Sequence, residues 1–321
     1  MLMWCESQFT AFNENIRLNA TRRSRIESAI SAFIEFCHQD KQLSFALAEN
    51  PFLQGSVATG TAIRPLSNDE FDVDVIYPFR LSAFGNQQPT PKHIIDWFTS
   101  RLVQNGFYKP RLIPKPRCAR IDYAGDFHVD IIPSTKDIPD HQPYAIPTRD
   151  LTGWITNDAI GFANWVRARD GAAGGKDIYG DGRFVRTVRI MKRWRDHFFG
   201  EQSAVSSILL TTILGKHDPT ISGYRPPLEK PLYPTYQNDA AYMYDMLRLT
   251  WSCLQTPPVN AFWNPTLPDE DLARGWDQKD REIFLLRLGS CISHMENSLT
   301  GKTEEAAITN YKKAFGETFP A

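Results

Sequence analysis

The sequence has no long hydrophobic run and no paired cysteines, and each absence excludes a class of protein. No apolar run approaches the roughly 20 residues that a transmembrane helix needs, so we expect no membrane span. The five cysteines are scattered without a C-x-x-C pair, a pattern typical of a reduced, cytoplasmic protein. The opening MLMWCESQF has no basic stretch followed by an apolar one, so we expect no signal peptide.

An excess of charge of one sign is also lacking, because 36 basic residues stand against 37 acidic ones and leave a net charge of −1. No overall positive field therefore draws the chain to nucleic acid, and we expect no strong nucleic-acid binding. The chain does have length: 321 residues with 42% hydrophobic side chains can form two lobes, each with its own core.

One run carries most of the chemical information, and it starts with Gly55 and Ser56. This pair predicts a tight turn that opens a short helix, where backbone N–H groups point outward and favour an anion such as phosphate. The Ser56 hydroxyl adds one more donor. A polar loop at 67–70 follows and leads into a strand.

That strand, Phe71 to Tyr77, alternates apolar and acidic residues. Because side chains two apart face the same side of a strand, Asp72 and Asp74 point together while Val73 and Val75 point into a core. Two neighbouring carboxylates repel each other unless a cation lies between them, and Mg²⁺ suits both oxygen ligands and substrate phosphates. An exposed acidic pair on an edge strand is the alternative, which the upstream Gly-Ser turn weakens.

A third acid follows in a hairpin predicted over 118–133. Asp130 lies between two apolar residues, and a strand beside the first one would bring it to the same metal ions. There it could help to deprotonate an attacking hydroxyl and hold metal. His128 shares its strand face, and we interpret it as a packed or hydrogen-bonded histidine rather than a catalytic one.

These motifs resemble the signature of nucleotidyltransferases of the polymerase-beta superfamily: Gly-Ser, a spacer, and then alternating hydrophobic and acidic residues. More narrowly, GSVATGTAIRPL at 55–66 and EFDVDVIYPF at 70–79 resemble the bacterial CD-NTase family, relatives of animal cyclic GMP–AMP synthase and oligoadenylate synthase. The segment FHVDIIP at 127–133 matches the family's third-carboxylate strand.

The resemblance implies an α+β fold: a two-lobed, polymerase-beta-like nucleotidyltransferase with a mixed β-sheet catalytic lobe, a helical C-terminal lobe and a long N-terminal spine helix. We place the catalytic lobe with its spine helix at 1–150, and the helical lobe that closes the nucleotide cleft at 151–321. Apolar residues recur at helical spacing over 15–38, which predicts the spine helix there.

The resemblance also assigns the chemistry. Asp72, Asp74 and Asp130 are then catalytic and hold two Mg²⁺ ions, which Mn²⁺ can replace. Ser207 occupies the place of an aromatic residue that stacks on the base in the family, and Tyr179 is a candidate to replace it. Nucleotide binding falls to four residues: Gly55, Ser56, Lys192 and Ser206.

From residue 151 onward the pattern is mainly helical. We expect a loop crossing between lobes at 134–150, a flexible loop with five glycines at 169–182, and a proline-rich connection at 218–236. Helices are predicted at 91–102, 154–168, 183–199, 204–210, 238–256, 279–298 and 304–315.

Two of these helices carry specific expectations about side chains. On the helix at 183–199, we single out Lys192 and interpret most of the arginines as a solvated basic face. On the helix at 279–298, apolar residues that include Ile283 and Leu286 are predicted to face a core.

The implied function is template-independent synthesis of a cyclic di- or oligonucleotide second messenger from nucleoside triphosphates, ATP among them, with release of pyrophosphate in anti-phage defence. The product would act on a downstream effector, and a companion regulatory or ligase protein is an expected partner. Two alternatives stay open. The first is a nucleotidyltransferase that modifies an RNA end or a small molecule, and the near-neutral charge argues mildly against an RNA substrate. The second is a nucleotide-binding module without catalysis, and the three intact acids argue against it.

Overall fold

The computed structural model describes residues 5–66, 70–85, 88–200, 203–221, 236–255 and 261–321. The 67–69 part of the predicted polar loop and the 222–235 part of the predicted proline-rich connection lie outside the described residues. The helices are α1 (Glu6–Ile16), α2 (Ala20–Gln39), α3 (Lys41–Ala46), α4 (Gly55–Ala58), α5 (Pro91–Val103), α6 (Ala159–Ala173), α7 (Arg183–Phe199), α8 (Ser207–Lys216), α9 (Asp239–Gln255), α10 (Gln278–Leu299) and α11 (Glu304–Phe315).

The chain separates into two compact units, which differ in secondary structure. Each unit is assembled from more than one segment of the chain, and the division into lobes at residue 150 stays a prediction. The helical unit comprises Met1–Arg17, Gly60–Leu66 and Asn164–Ala321, and the sheet unit comprises Leu18–Thr59 and Ser67–Ala163.

The sheet unit is built on a mixed five-stranded sheet, whose strands are β1 (Phe52–Gln54), β2 (Phe71–Pro78), β3 (Leu112–Pro114), β4 (Ala119–Tyr123) and β5 (Phe127–Ser134). The strand order in the sheet is β1-β2-β5-β4-β3. β2 and β5 are parallel, and the other neighbours are antiparallel. The acidic strand and the hairpin predicted from the sequence are therefore both present, and they lie next to each other.

One face of this sheet is apolar and covered. Val73 and Val75 of β2 are fully buried, as the period-two pattern predicts. Helix α5 contacts β3, β4 and β5, and Phe98 on it meets Phe33 of α2 edge-to-face. Burial of these side chains holds the covered face in place and leaves the acidic residues on the opposite face.

The segment after β5 differs from the prediction. Tyr144–Pro147 (β6) and Trp154–Asn157 (β7) form a two-stranded antiparallel sheet, so the predicted loop at 134–150 and a helix starting at 154 are wrong here. A short apolar run has too few residues to distinguish a strand from a helix by periodicity. Helix α6 then runs from Ala159 to Ala173, so the glycine-rich loop is shorter than predicted and starts at Gly174.

In the helical unit, an aromatic cluster joins the two ends of the described chain. Phe9 and Phe12 of α1 pack against Tyr311 and Phe315 of α11 and against Phe319 beyond it. All five rings are buried. Edge-to-face and offset contacts of this kind add stability beyond the area they bury.

Two helical predictions need correction. The helix predicted at 15–38 is two helices, because α1 ends at Ile16 and α2 starts after Asn19, whose side chain accepts a hydrogen bond from the Arg22 amide. On α10, Ile283 is 41% exposed and Leu286 is 75% exposed, so neither faces a core.

None of the described helices has the length and apolar character that crossing a bilayer requires.

Candidate active site

The three predicted acids share the uncovered face of the five-stranded sheet. Asp74 on β2 lies directly opposite Asp130 on the parallel strand β5. Asp72 precedes Asp74 by two residues, so its side chain points to the same face. The strand register therefore brings together three carboxylates that are 58 or fewer residues apart in the sequence.

Gly55 meets these acids because β1 is the neighbour of β2 on its other side. Gln54 pairs with Asp74 across the two strands, and α4 begins at the next residue. Gly55 has a φ of +65°, and a Cβ atom built on it would lie 2.5 Å from Asp74 Oδ2. Only glycine lets the backbone of this turn approach the carboxylate so closely.

The turn itself is held by its own hydrogen bonds. The Thr59 hydroxyl donates to the Gly55 carbonyl oxygen at 3.1 Å and lies 3.2 Å from that of Ser56. Ser56 follows Gly55 on α4 and is half-buried. Gly55 and Ser56 therefore both belong to the sheet unit, with Gly55 against Asp74, while their binding of phosphate stays a prediction.

An arginine that the sequence analysis did not single out occupies the same face. Arg120 Nε and Nη2 donate to the two oxygens of Asp130 at 2.7 and 2.8 Å, and Nη2 also lies 2.8 Å from Asp72 Oδ1. Arg120 pairs with Asp130 across the β4–β5 hairpin. Counting residues back from the turn at 124–126 could have found this contact.

Burial and like charges act on Asp74. Burial is the main cause that raises its pKa to about 6, and the neighbouring Asp130 and Asp72 raise it further. Arg120 and Arg117 act in the opposite direction. Asp74 is thus the acid of the set whose ionised form most needs a cation.

The three acids provide oxygen ligands of the kind that Mg²⁺ prefers, and the unrelieved charge at Asp74 fits a divalent ion. Arg120 already holds Asp130 and Asp72, so an ion bound by all three acids has to share these carboxylates with the guanidinium or displace it. Among the described residues, the one group of three metal-ligating side chains whose ligand atoms all lie within 4.8 Å of one another is a different one: Glu70, Asp122 and His128.

His128 lies close to the carboxylates of Glu70 and Asp72. Its Nε2 lies 2.5 Å from Glu70 Oε2, which agrees with the interpretation of His128 as a partnered histidine. Its Nδ1 lies 3.7 Å from Asp72 Oδ1. The sequence analysis did not single out Glu70 or Asp122 as members of a site.

The basic helix α7 is buried, which contradicts the prediction of a solvated face. Arg186, Arg189 and Arg193 are 6%, 1% and 5% exposed. Arg186 pairs bidentately with Asp239, and Arg189 with Asp181 at 2.8 Å. Paired and hydrogen-bonded guanidinium groups can be buried where an isolated charge cannot.

Three cations of α7 also donate to one backbone segment of the helical unit, 60–64. Arg189 donates to the Gly60 carbonyl at 2.8 Å, Lys192 to that of Thr61 at 3.1 Å, and Arg193 to that of Arg64 at 2.5 Å. Carbonyl oxygens in a segment without regular structure need such donors when they are buried. The contacts give a structural role to part of the GSVATGTAIRPL motif.

The Lys192 ammonium group makes two contacts with Thr61. Its Nζ also lies 3.1 Å from the Thr61 hydroxyl, and the residue is 3% exposed. Burial, with a smaller effect of the nearby Arg195, lowers its pKa to about 7. A phosphate contact by Lys192 stays a prediction.

The remaining predicted residues lie in the helical unit. Ser206 is the N-cap of α8, and its side chain accepts a hydrogen bond from the Leu209 amide at 3.3 Å. Helix α8 thus starts at Ser207, later than predicted. Ser207 Oγ accepts from Arg195 at 3.0 Å. The Tyr179 ring has the Arg17 guanidinium 3.4 Å from its centroid.

Comparison with known proteins identifies a family match over half of the chain. A model of the Second Messenger Oligonucleotide or Dinucleotide Synthetase domain (SMODS) matches residues 3–170. A curated relative, the c-di-GMP synthase of Roseivirga ehrenbergii, is 30% identical over 161 residues, which are 50% of this chain and 42% of that synthase. The chain therefore spans less than half the length of this relative.

Two solved structures have a similar fold. E. coli MS115-1 CdnC, from its complex with HORMA-deltaN, has a TM-score of 0.72 and 17% identity and covers 98% of both chains. The Bradyrhizobium diazoefficiens CD-NTase CdnG, in complex with GTP, has a TM-score of 0.74 and 16% identity and covers 97% of this chain and 95% of CdnG. At these identities the likeness shows the fold alone, and it confirms the predicted α+β, polymerase-beta-like fold.

Proposed function

We propose, because the chain belongs to the Second Messenger Oligonucleotide or Dinucleotide Synthetase domain family, that it joins nucleoside triphosphates into a cyclic di- or oligonucleotide and releases pyrophosphate. The observation that carries this proposal is the acidic sheet face: Asp74 opposite Asp130, with the Gly55 turn against Asp74. Phosphoryl transfer relies on positioning and charge neutralisation, and such a face provides both.

The reaction would be an attack by a ribose hydroxyl on the α-phosphate of a second nucleotide. A bond forms between that hydroxyl oxygen and the phosphorus, the bond to the bridging oxygen breaks, and pyrophosphate leaves with the electron pair. Asp130 can accept the hydroxyl proton once one of its oxygens is released from Arg120. The Gly55–Ser56 turn offers backbone and hydroxyl donors to the triphosphate.

Asp72, Asp74 and Asp130 would hold two Mg²⁺ ions, and Mn²⁺ could replace them. When bound, such ions neutralise charge on the phosphates and lower the pKa of the attacking hydroxyl. Gly55, Ser56, Lys192 and Ser206 stay the predicted nucleotide contacts. For the last two, the support is the family resemblance of helices α7 and α8.

The partners of this chain follow from the same proposal. ATP and other nucleoside triphosphates are the substrates, and the structures of relatives with ATP and with GTP support this. CdnC forms a complex with HORMA-deltaN, which supports a companion regulatory protein here as well. We place the enzyme in the cytoplasm, with a downstream effector in anti-phage defence that responds to its product.

The test is product synthesis by the purified chain. We expect incubation with the four nucleoside triphosphates and Mg²⁺ or Mn²⁺ to give a phosphatase-resistant product whose mass corresponds to a cyclic di- or oligonucleotide. Asp74→Asn should lower the rate by about three orders of magnitude, since charge stabilisation by a metal contributes several kcal/mol. Asp96→Asn, on an exposed site of α5, is the control and should keep the wild-type rate.

Other outcomes of this assay would change the proposal in different ways. Transfer of label to an added RNA or small molecule, without a cyclic product, would favour the alternative nucleotidyltransferase. Wild-type protein that forms no product with either metal would contradict the proposal. Near-normal synthesis by Asp74→Asn would remove the metal assignment while leaving the activity in place.

A further inference from the structure

A second polar cluster lies on the acidic sheet face beside the three acids. It consists of Glu70, Asp122 and His128, and we call it the His128 cluster. His128 Nε2 lies 2.5 Å from Glu70 Oε2 and 4.0 Å from Asp122 Oδ1. One ligand atom from each residue lies within 4.8 Å of the other two.

The strand register explains why these residues meet. Asp122 on β4 pairs with His128 on β5, and His128 pairs with Asp72 on β2. Paired residues of neighbouring strands point to the same face of a sheet. Glu70 directly precedes β2, so its side chain can reach the same row.

The Glu70 carboxylate is oriented by the hairpin turn. The Gly125 amide donates to Glu70 Oε1 at 2.6 Å, which leaves Oε2 directed at His128. A hydrogen bond to one carboxylate oxygen commonly fixes the direction of the other in metal sites. The cluster therefore has one acid held in position before any ligand arrives.

Asp122 has an oxygen atom whose surroundings the contact between His128 and Glu70 does not explain. Its Oδ1 is buried, and no hydrogen bond to it is present in the described part of the chain. His128 Nε2 is 4.0 Å from this oxygen, against 2.5 Å from Glu70 Oε2. A buried carboxylate oxygen without a partner is destabilising, and a bound cation would provide that partner.

We propose that the His128 cluster binds a divalent transition-metal ion, such as Zn²⁺, through His128 Nε2, Glu70 and Asp122. The ion would lie between His128 Nε2 and Glu70 Oε2 and would supply Asp122 Oδ1 with a partner. Imidazole nitrogen suits Zn²⁺, Cu²⁺ and Ni²⁺, whereas Mg²⁺ and Mn²⁺ prefer oxygen ligands. This site is separate from the proposed Mg²⁺ set and does not depend on the proposed function.

The site also has a consequence for Asp72. An imidazole bound through Nε2 to a metal keeps its proton on Nδ1. His128 Nδ1 lies 3.7 Å from Asp72 Oδ1, so that N–H faces the carboxylate.

The experiment uses Co²⁺ as the probe on the full chain with Asp74→Asn, in buffer with excess Mg²⁺ to occupy oxygen-only sites. We expect one equivalent of Co²⁺ to bind, measured by calorimetry and by the d–d absorption of the ion. His128→Gln should weaken binding at least about tenfold, since even outer partners of metal ligands contribute that much. His93→Gln, exposed on α5, is the matched control and should bind as before.

A second variant decides the matter if His128→Gln does not fold. Asp122 is 36% exposed in its side chain, so Asp122→Asn is a mild change, and it should also weaken Co²⁺ binding about tenfold. Absence of Co²⁺ binding, or equal binding in all variants, would overturn the proposal.

Discussion

At Gly55, backbone conformation and a neighbouring carboxylate both require glycine. Its φ of +65° is strained for other residues, and the space that a Cβ would occupy is taken by Asp74 Oδ2. These two requirements can be separated, because Gly180 has a φ of +83° and a Cβ atom placed on it would have nothing within 4 Å.

We therefore compare Gly55→Ala with Gly180→Ala. Each should lower the free energy of unfolding of its region by about 1 kcal/mol, the cost of a left-handed conformation for alanine. Gly55→Ala should in addition displace Asp74 and weaken Mn²⁺ binding at least about tenfold, measured by electron paramagnetic resonance. Equal Mn²⁺ affinity in the two variants would show that the Gly55 turn does not position Asp74.

The sequence predicts the acids and the glycine turn because each depends on local pattern. Asp72 and Asp74 follow from alternation along one strand. Arg120 does not follow from local pattern, because its partner Asp130 is set by hairpin register. The burial of Asp122 Oδ1 depends on tertiary packing and has no signal in the sequence at all.

Among the elements, α7 departs most from its sequence pattern. Four cations along it are at most 6% exposed: Arg186, Arg189, Lys192 and Arg193. A sequence pattern cannot distinguish a solvated basic face from a buried one whose partners lie far away in the chain. Asp239, the partner of Arg186, is 53 residues distant.

Arg186→Met should be strongly destabilising. It removes both hydrogen bonds that Arg186 donates to the buried Asp239 carboxylate and leaves that carboxylate the longer contact with Arg183, at 3.5 Å. Removal of one partner of a buried pair typically costs about 3–5 kcal/mol. The double variant Arg186→Met/Asp239→Asn should recover part of that loss in urea denaturation. Arg167→Met, exposed on α6, is the control; a similar small loss in both single variants would contradict the role of the pair.

Short elements set the limit of prediction at this scale. Helices α5, α7 and α11 match their predicted ranges because they are long and bounded by clear caps or glycines. Strand β7 has four residues, and its pairing with β6 decides its structure. Long-range pairing overrides a weak local preference in such segments.

For the whole molecule, stability should depend on pH through His217. Burial is the main cause that lowers its pKa to about 4, against 6.5 for the ordinary group. The folded chain keeps His217 neutral, while the unfolded chain binds a proton below pH 6.5. Its contribution to stability is therefore complete above pH 6.5 and is lost as the pH falls towards 4, by about 3 kcal/mol.

His217→Asn should remove this part of the pH dependence. Because the chain has two compact units that need not unfold together, hydrogen exchange of the α8 amides is the suitable measurement. We expect the wild type to lose more protection than the variant between pH 7 and pH 5. An equal loss in both proteins would show that His217 is not the group responsible, and His93→Asn serves as the control.

The family and the fold could be predicted from the sequence, whereas the composition of the two units could not. Residues 60–66 belong to the helical unit although the residues on both sides of them belong to the sheet unit. That grouping follows from the hydrogen bonds of α7 to 60–64, which no local pattern indicates.

The most direct measurement is a crystal structure with Mn²⁺ and a non-hydrolysable ATP analogue, in which anomalous scattering locates the ions. We predict Mn²⁺ within bonding distance of Asp72, Asp74 and Asp130, and the triphosphate against Gly55 and Ser56. Mn²⁺ bound away from all three acids, or a triphosphate bound elsewhere, would contradict the proposed active site.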